Sequence, residues 1–317
     1  MASARVVSCF GYLPAKVVLN SELCKRVETS EEWIVSRTGI LQRHIASEEE
    51  RTSDLALKAA KGALKNAGLD GVDLVMVATT TPDKTFPSVA ATVQSALSMG
   101  GQIPAFDLQA VCSGFVYGLE IANCLILSKK YQSILLIGAD KMSSVVDWTD
   151  RSTCVLFGDG AGAVVLQSSQ DQSGIIDSLL CSDGSFSNSL YTNGGPSSGE
   201  KVGKIFMDGQ TVFKHAVLKM SQVVKDLLCR NGIKKSQIRC FIPHQANKRI
   251  TDSIRKELDL SEDQVISTVD IHANCSAGSI PLALHHACKL NKIQKGDIVV
   301  LAAFGGGFTW GASLIRW

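Results

Sequence analysis

The best-placed nucleophile in the sequence is Cys112, in the run Leu108-Gln109-Ala110-Val111-Cys112-Ser113-Gly114-Phe115. An apolar, β-prone approach over residues 103–111 leads into it, and residues 115–126 follow with Glu120 as their single charge. That second stretch predicts a helix buried nearly all round. Cys112 would then occupy a strand-to-helix turn facing the unsatisfied N–H groups of the first helical turn, where a thiolate is favoured. Free cysteine is also a common core residue, and composition alone supports that plainer reading. The second half of the chain tips the balance. His244 stands in Pro243-His244-Gln245-Ala246-Asn247, directly after an apolar run, and Asn274 in His272-Ala273-Asn274-Cys275-Ser276-Ala277-Gly278. Gly305-Gly306-Gly307 follows a strand-like run over 297–303. Its backbone N–H groups can approach a substrate with no Cβ in the way, as an oxyanion hole requires. Singly, these have plain explanations as a core histidine, a turn asparagine and a glycine loop. His285 and His286 fall in a helical pattern and are given no role. Taken together, a thiol, an imidazole, a carboxamide and free N–H groups are the parts of nucleophilic acyl chemistry.

These residues lie far apart in sequence, so the fold has to bring them together. Sliding the sequence against itself by 164 residues places Asn66-Ala67-Gly68-Leu69 on Arg230-Asn231-Gly232-Ile233. Each segment closes an amphipathic helical stretch with a glycine suited to a left-handed cap. At the same offset, 74–79 falls on 238–243 and 134–137 on 298–301; at 163, Cys112-Ser113 falls on Cys275-Ser276. The repeated unit reads helix, buried strand, turn, helix, buried strand. That is an α/β fold of two pseudo-twofold-related halves, with mainly central strands covered by helices on both faces. The polar stretch 168–174 is the expected seam, dividing the chain into 1–170 and 171–317. Thr80 and His244 each follow a first strand, and Cys112 and Asn274 each approach a second helix. All can therefore meet in the crevice where strands end.

Composition sets outer bounds. At 317 residues and 45% hydrophobic content, a large core is available, and a net charge of +2 gives no global pull toward nucleic acid or membrane. No run of 18 apolar residues occurs, and the N-terminal residues lack a signal-peptide pattern. Ten scattered cysteines without a CxxC pair imply a reducing compartment, no disulfide frame and no zinc site; the expected location is the cytoplasm. Gly158-Asp159-Gly160-Ala161-Gly162 lacks dinucleotide-loop spacing and runs into a strand, which excludes that function.

Six motifs in order carry a resemblance over essentially the whole chain. They are Glu32-Trp33-Ile34-Val35-Ser36-Arg37-Thr38-Gly39-Ile40, Val111-Cys112-Ser113-Gly114, Phe157-Gly158-Asp159-Gly160-Ala161-Gly162, His244-Gln245-Ala246-Asn247, Asn274-Cys275-Ser276-Ala277-Gly278-Ser279 and Phe304-Gly305-Gly306-Gly307-Phe308-Thr309-Trp310-Gly311. In these the chain resembles β-ketoacyl-(acyl-carrier-protein) synthase III, the initiating condensing enzyme of type II fatty-acid synthesis in the thiolase superfamily. The resemblance implies a thiolase-like duplicated αβαβα layered fold. Asparagine at 274 separates it from elongating synthases, which use a second histidine, but not from plant-type polyketide synthases.

The resemblance also implies roles. Cys112 would take an acyl group, usually acetyl, from coenzyme A, and malonyl-acyl carrier protein would then decarboxylate and attack it, aided by His244 and Asn274. The backbone N–H groups of Cys112 and Gly306 would hold the acyl oxyanion. Coenzyme A would lie against Trp33, Arg37, Arg151, Gly209, Phe213 and Asn247, a set in which guanidinium can both stack and pair with phosphate. Gln210 departs from the asparagine of the family pattern. Lys214, Gln245, Ala246, Asn247, Lys248 and Arg249 would meet the acidic carrier protein. Phe86 and Phe157 would line the acyl pocket, Phe86 reaching across a homodimer. No cofactor or metal is implied, acetyl-CoA and malonyl-acyl carrier protein being substrates.

Three other readings follow from the same residues. A cysteine peptidase shares the Cys, His, Asn order, but Cys112 lacks the papain-like sequence context. A catalytically dead scaffold would not be expected to keep every polar residue. A relative using branched-chain or polyketide starters would look the same.

Overall fold

The structure, a computed structural model, describes residues 3–171 and 173–317. The first half contains strands β1 (Ser3–Tyr12), β2 (Lys16–Leu19), β3 (Gln42–Ile45), β4 (Leu74–Ala78), β5 (Ala105–Leu108), β6 (Ser133–Lys141) and β7 (Asp159–Ser169). Its helices are α1 (Asn20–Leu23), α2 (Glu31–Thr38), α3 (Thr52–Ala67), α4 (Val89–Ala96), α5 (Gly114–Leu127) and α6 (Arg151–Cys154). The second half contains β8 (Gly174–Ser182), β9 (Leu190–Thr192), β10 (Ile205–Met207), β11 (Ile238–Pro243), β12 (Ile298–Gly305) and β13 (Thr309–Arg316). Its helices are α7 (Gly209–Arg230), α8 (Lys248–Glu257), α9 (Val269–His272) and α10 (Ser279–Lys289).

Two sheets repeat one design. The first runs β1-β7-β6-β4-β5 and the second β11-β12-β13-β8. In each, a parallel pair (β4 with β6, β11 with β12) is followed by antiparallel neighbours. The counterpart of β5 is reduced to a single parallel bridge between Phe241 and Val265. β4 is buried at every position, which is why its sequence, Leu-Val-Met-Val-Ala, shows no polar alternation.

The two faces of that strand separate the layers. Leu74 and Met76 face a middle core with Phe115 and Leu119 of α5, Ile280 and Leu284 of α10, and Val299 and Leu301 of β12. Val75 and Val77 face an outer core against Leu55, Ala59 and Ala63 of α3. Beyond the second sheet, Val224 and Leu227 of α7 cover Phe241, Val300 and Leu314. The order is therefore helix, sheet, helix pair, sheet, helix: the thiolase-like αβαβα arrangement. Glycines let the layers close up. A Cβ on Gly138 of β6 would stand 2.2 Å from the Ala277 carbonyl oxygen, and one on Gly162 of β7 would stand 2.6 Å from Pro281.

The repeat has a more exact register at its reactive turns than the sequence match suggests. Short 3-10 turns, Val111–Ser113 and Ser276–Gly278, lead into α5 and α10, and each opens on a residue with φ +48. Matching Val111 to Ser276 gives an offset of 165 (276 minus 111), so the counterpart of Cys112 is Ala277 and not Cys275. Cys275 precedes the turn and its thiol faces inward, 3.3 Å from the His272 carbonyl.

Candidate active site

The site forms where the central strands of the two sheets end. Val111 adopts a left-handed backbone, which a β-branched residue takes only when its surroundings impose it. The second half supplies those surroundings. A Cβ on Gly305, at the end of β12, would stand 2.8 Å from the Cys112 amide nitrogen. The Ser113 and Thr309 hydroxyls bond each other at 2.7 Å and reach the Ala110 carbonyl at 2.7 and 3.0 Å, tying the turn to β13.

His244 follows β11, and its backbone N–H donates to the Ala302 carbonyl at 2.8 Å. The ring is buried, and neither ring nitrogen has a hydrogen-bond partner among the described residues. Burial pulls its pKa down to about 4, so the imidazole is neutral near pH 7, with one nitrogen donating and one accepting. Asn274 is held by its backbone between Leu156 and Gly158, donating at 3.0 Å and accepting at 3.1 Å. Its Oδ1 accepts from the Ser276 N–H at 2.9 Å, which commits the carbonyl end and leaves Nδ2 as the donor.

Cys112, His244, Asn274, Gly306 and Phe157 line one cavity of about 1910 Å³. Trp33, Arg37, Gly209, Gln210, Phe213, Asn247 and Arg249 line it too, so the six motifs converge on a single space. The volume exceeds that of an ordinary small-molecule pocket and admits a long substrate. Arg151 lies over the Trp33 ring at 4.9 Å and donates to the Glu28 carbonyl at 3.0 Å. Arg249 lies over Phe213 at 5.5 Å.

Two expectations need correction. The sequence reading expects a thiolate at the α5 N-terminus; instead, burial pushes the Cys112 thiol up to about 12, with the charge of Asp140 adding to the rise and Ser276 and the Cys112 N–H opposing it. The resting group is a thiol. Gln245, expected at a docking surface, is fully buried: its Nε2 donates to the carbonyls of Pro243 (2.6 Å) and Ile266 (3.3 Å), and its Oε1 accepts from Thr268 N–H (2.7 Å). A side chain committed in this way cannot meet a partner. Ala246 is half-buried, while Lys214, Lys248 and Arg249 are exposed. Phe86 is 82% exposed and lies outside its own chain's cavity, next to Thr85, which lines it.

Sequence reasoning missed Asp140. It is fully buried and accepts from Thr79, Thr80 and Thr81 on one oxygen and from Ala277 N–H on the other. An acid at the end of the apolar run 134–139 was the available signal, because a buried charge there has to be satisfied. Among the described residues no group of three or more His, Cys, Asp or Glu is arranged to hold a metal ion, and no helix is long and apolar enough to cross a membrane.

Comparison with known proteins agrees with this geometry. Residues 106–184 match the model of the family described as 3-Oxoacyl-[acyl-carrier-protein (ACP)] synthase III, and residues 228–317 its C-terminal model. The beta-ketoacyl-[acyl-carrier-protein] synthase III of Rickettsia canadensis (strain McKiel) is 55% identical over 99% of this chain and 100% of its own. The chain belongs to the 3-oxoacyl-(acyl-carrier-protein) synthase III family. Within it, the crystal structure of the Aquifex aeolicus VF5 synthase III superimposes with a TM-score of 0.95 at 44% identity, over 99% of this chain and 100% of that one. The Pseudomonas aeruginosa PAO1 enzyme gives 0.95 at 41%, over 99% and 98%. As a synthase III, the protein is an acyl-transferring condensing enzyme of fatty-acid synthesis.

Proposed function

We propose that the enzyme condenses acetyl-CoA with malonyl-acyl carrier protein through an acetyl-Cys112 intermediate. The observation that carries this reading is the shared cavity, in which a buried thiol meets a neutral imidazole with two unpartnered nitrogens and an amide aimed by its own turn. Cys112 Sγ attacks the acetyl thioester, and the thiol proton departs on the coenzyme A sulfur. The oxyanion is held by the N–H groups of Cys112 and Gly306. Malonyl-acyl carrier protein then loses carbon dioxide. The enolate oxygen that forms needs donors and not a charge, which neutral His244 and the Asn274 Nδ2 supply. The enolate carbon attacks the acetyl carbonyl, the C–S bond to Cys112 breaks, and the sulfur takes up one proton. The products are acetoacetyl-acyl carrier protein, coenzyme A and carbon dioxide.

The mouth of the cavity suits the two carriers. Trp33 offers a flat face for adenine once Arg151, now lying over it, moves aside, Arg37 a charge for phosphate, and Gly209, Phe213 and Asn247 a path for the pantetheine arm. Lys248 and Arg249 occupy the first turn of α8, where positive charge works against the helix dipole. Together with exposed Lys214 they form a basic patch for the acidic carrier protein. Exposed Phe86 would cap the acyl pocket of a second copy in a homodimer, and the enzyme would work in the cytoplasm.

Intact-mass measurement after incubation with acetyl-CoA tests the central step. Wild type should gain one acetyl group and Cys112→Ser none. Gain only with a branched or longer thioester would change the starter; the absence of gain with any thioester would overturn the reading.

A further inference from the structure

The two reactive turns are gripped reciprocally. β12 of the second half ends on the first turn, with Gly305 against the Cys112 amide. β6 of the first half ends on the second turn, with Gly138 against the Ala277 carbonyl and Asp140 Oδ2 accepting from the Ala277 N–H at 3.1 Å. Ala277 is the counterpart of Cys112. The N–H that one half offers to a substrate oxygen is, in the other half, occupied by a built-in carboxylate.

That carboxylate is itself anchored. Its Oδ1 accepts from Thr79 Oγ1 (3.0 Å), Thr80 N–H (2.8 Å), Thr81 N–H (3.1 Å) and Thr81 Oγ1 (2.9 Å) at the end of β4. Oδ2 is left for the second turn. The residue before Ala277 in that turn, Ser276, donates its N–H to Asn274 Oδ1. The chain from Thr79–Thr81 through Asp140 to Ala277, Ser276 and Asn274 is therefore continuous through hydrogen bonds and two adjacent residues.

We propose that Asp140 is a positioning residue for condensation, fixing the second turn so that the Asn274 amide keeps its donor aimed at the enolate oxygen. This rests on the acyl-Cys112 reading above and adds a residue that does not itself touch substrate. Asp140→Asn sets an amide N–H₂ against the threonine donors or against the Ala277 N–H, two donors face to face in a buried site, and the turn loosens. The same substitution removes a negative charge near Cys112. The other ionisable groups nearby leave that effect readable. His244 shares the cavity and is neutral, Lys141 turns away to the carbonyls of Ser47 and Glu50, Asp159 bonds Ser143 and Ala46, and buried Cys275, which also feels Asp140, is pushed well above the ordinary thiol range.

The experiment separates the half-reactions in purified full-length enzyme. In Asp140→Asn, acetyl uptake by Cys112 should stay within about threefold of wild type, while turnover with malonyl-acyl carrier protein falls about tenfold or more at unchanged KM, a smaller loss than deleting a direct donor. The midpoint of Cys112 alkylation should move to lower pH as the neighbouring negative charge is removed. In an Asn274→Ala background Asp140→Asn should cost little more, as expected for residues acting in series. Equal loss in both half-reactions, or a full additional loss in the double variant, overturns the proposal. If Asp140→Asn does not fold, Thr79→Val removes one anchor and keeps the charge; it should lower condensation selectively, and equal loss in both steps overturns the proposal as well. Failure of wild type to take up acetyl or any other acyl group is a separate result, and it strikes the acyl-enzyme reading first.

Discussion

Gly305 and Cys112, 193 positions apart in the chain (305 minus 112), meet backbone to backbone: a Cβ on the glycine would stand 2.8 Å from the cysteine amide nitrogen. The atoms it would strike are main-chain atoms of Ala110, Cys112 and Ser113, which cannot swing aside as a side chain would. Gly305→Ala should therefore displace the nucleophile's N–H and slow acetyl uptake by about 100-fold, the scale of losing one oxyanion donor. Overpacking adds about 1–3 kcal/mol of lost stability. Pre-steady-state acetylation together with a urea melt would check both; uptake at the wild-type rate would show that the turn can yield.

The Cys112 thiol, pushed by burial to about 12, should resist alkylation in the unliganded enzyme. Its iodoacetamide rate should still be rising at pH 9, where an ordinary cysteine has largely ionised. A rate that levels off near pH 7 would show instead that the α5 N-terminus wins over burial.

Trp33 and Arg151 should act on coenzyme A alone. Trp33→Ala removes a stacking face and should raise the KM for acetyl-CoA by about five- to tenfold, in line with the strength of exposed cation–π pairs plus lost area. The KM for malonyl-acyl carrier protein should not move. A parallel rise in both constants would place Trp33 at a common part of the cavity.

Gln245, beside His244, and Arg249, in the first turn of α8, should part company. Arg249→Glu reverses the charge at the head of α8 and should weaken use of malonyl-acyl carrier protein while sparing acetyl transfer from coenzyme A. Gln245→Ala should leave docking untouched and cost about 3 kcal/mol of stability, because three backbone partners lose their bonds in a buried site. Steady-state kinetics with each carrier, combined with denaturant titration, would distinguish them; equal kinetic loss in both half-reactions for Arg249→Glu would remove the docking patch.

Acid should unfold the enzyme early. His244 falls from 6.5 to about 4 and His272 from 6.5 to about 3, both first because of burial and His272 further because of neighbouring histidines. A lowered histidine favours the native state fully above pH 6.5. That advantage drains away as pH drops toward the native value, since only the unfolded chain takes the proton. For His244 this amounts to about 3 kcal/mol between pH 7 and 4. Because burial also pushes the Asp140 and Asp159 carboxyls up, and these gain native stability as pH falls, the check is a comparison: the wild-type urea midpoint should drop more between pH 7 and pH 5 than that of His244→Gln, and an equal drop in both would contradict it.

What the sequence makes legible follows from which forces act locally. The buried strand 74–78 shows as an unbroken apolar run, and 238–243 as one broken only by exposed Arg239, because helices cover both faces. Cys112, His244, Asn274 and the 305–307 turn mark their places because their types are unusual at strand ends. Gln245 is assigned to the docking surface by the family resemblance alone, and only the fold shows its three backbone partners. The thiolate at Cys112 was misjudged for the same reason: a helix terminus can be read from sequence, but the depth of burial that opposes it cannot. The offset of 163 failed at the turns because identical Cys-Ser letters outweighed a backbone match that puts Val111 on Ser276.

The reciprocal grip of the two turns has a mechanical meaning. Nucleophile and donors sit on different copies of the repeat, so their spacing is set by how the copies seat against each other and by nothing softer. A sliding motion that loosened one turn would drag a strand of the same half off the other. As rigid bodies the two halves thus carry no independent adjustment for Cys112 and Asn274; only a change at one joint, such as Asp140→Asn, loosens one turn alone. The packing joint between the repeats is the gauge that holds the two ends of the reaction at a fixed distance.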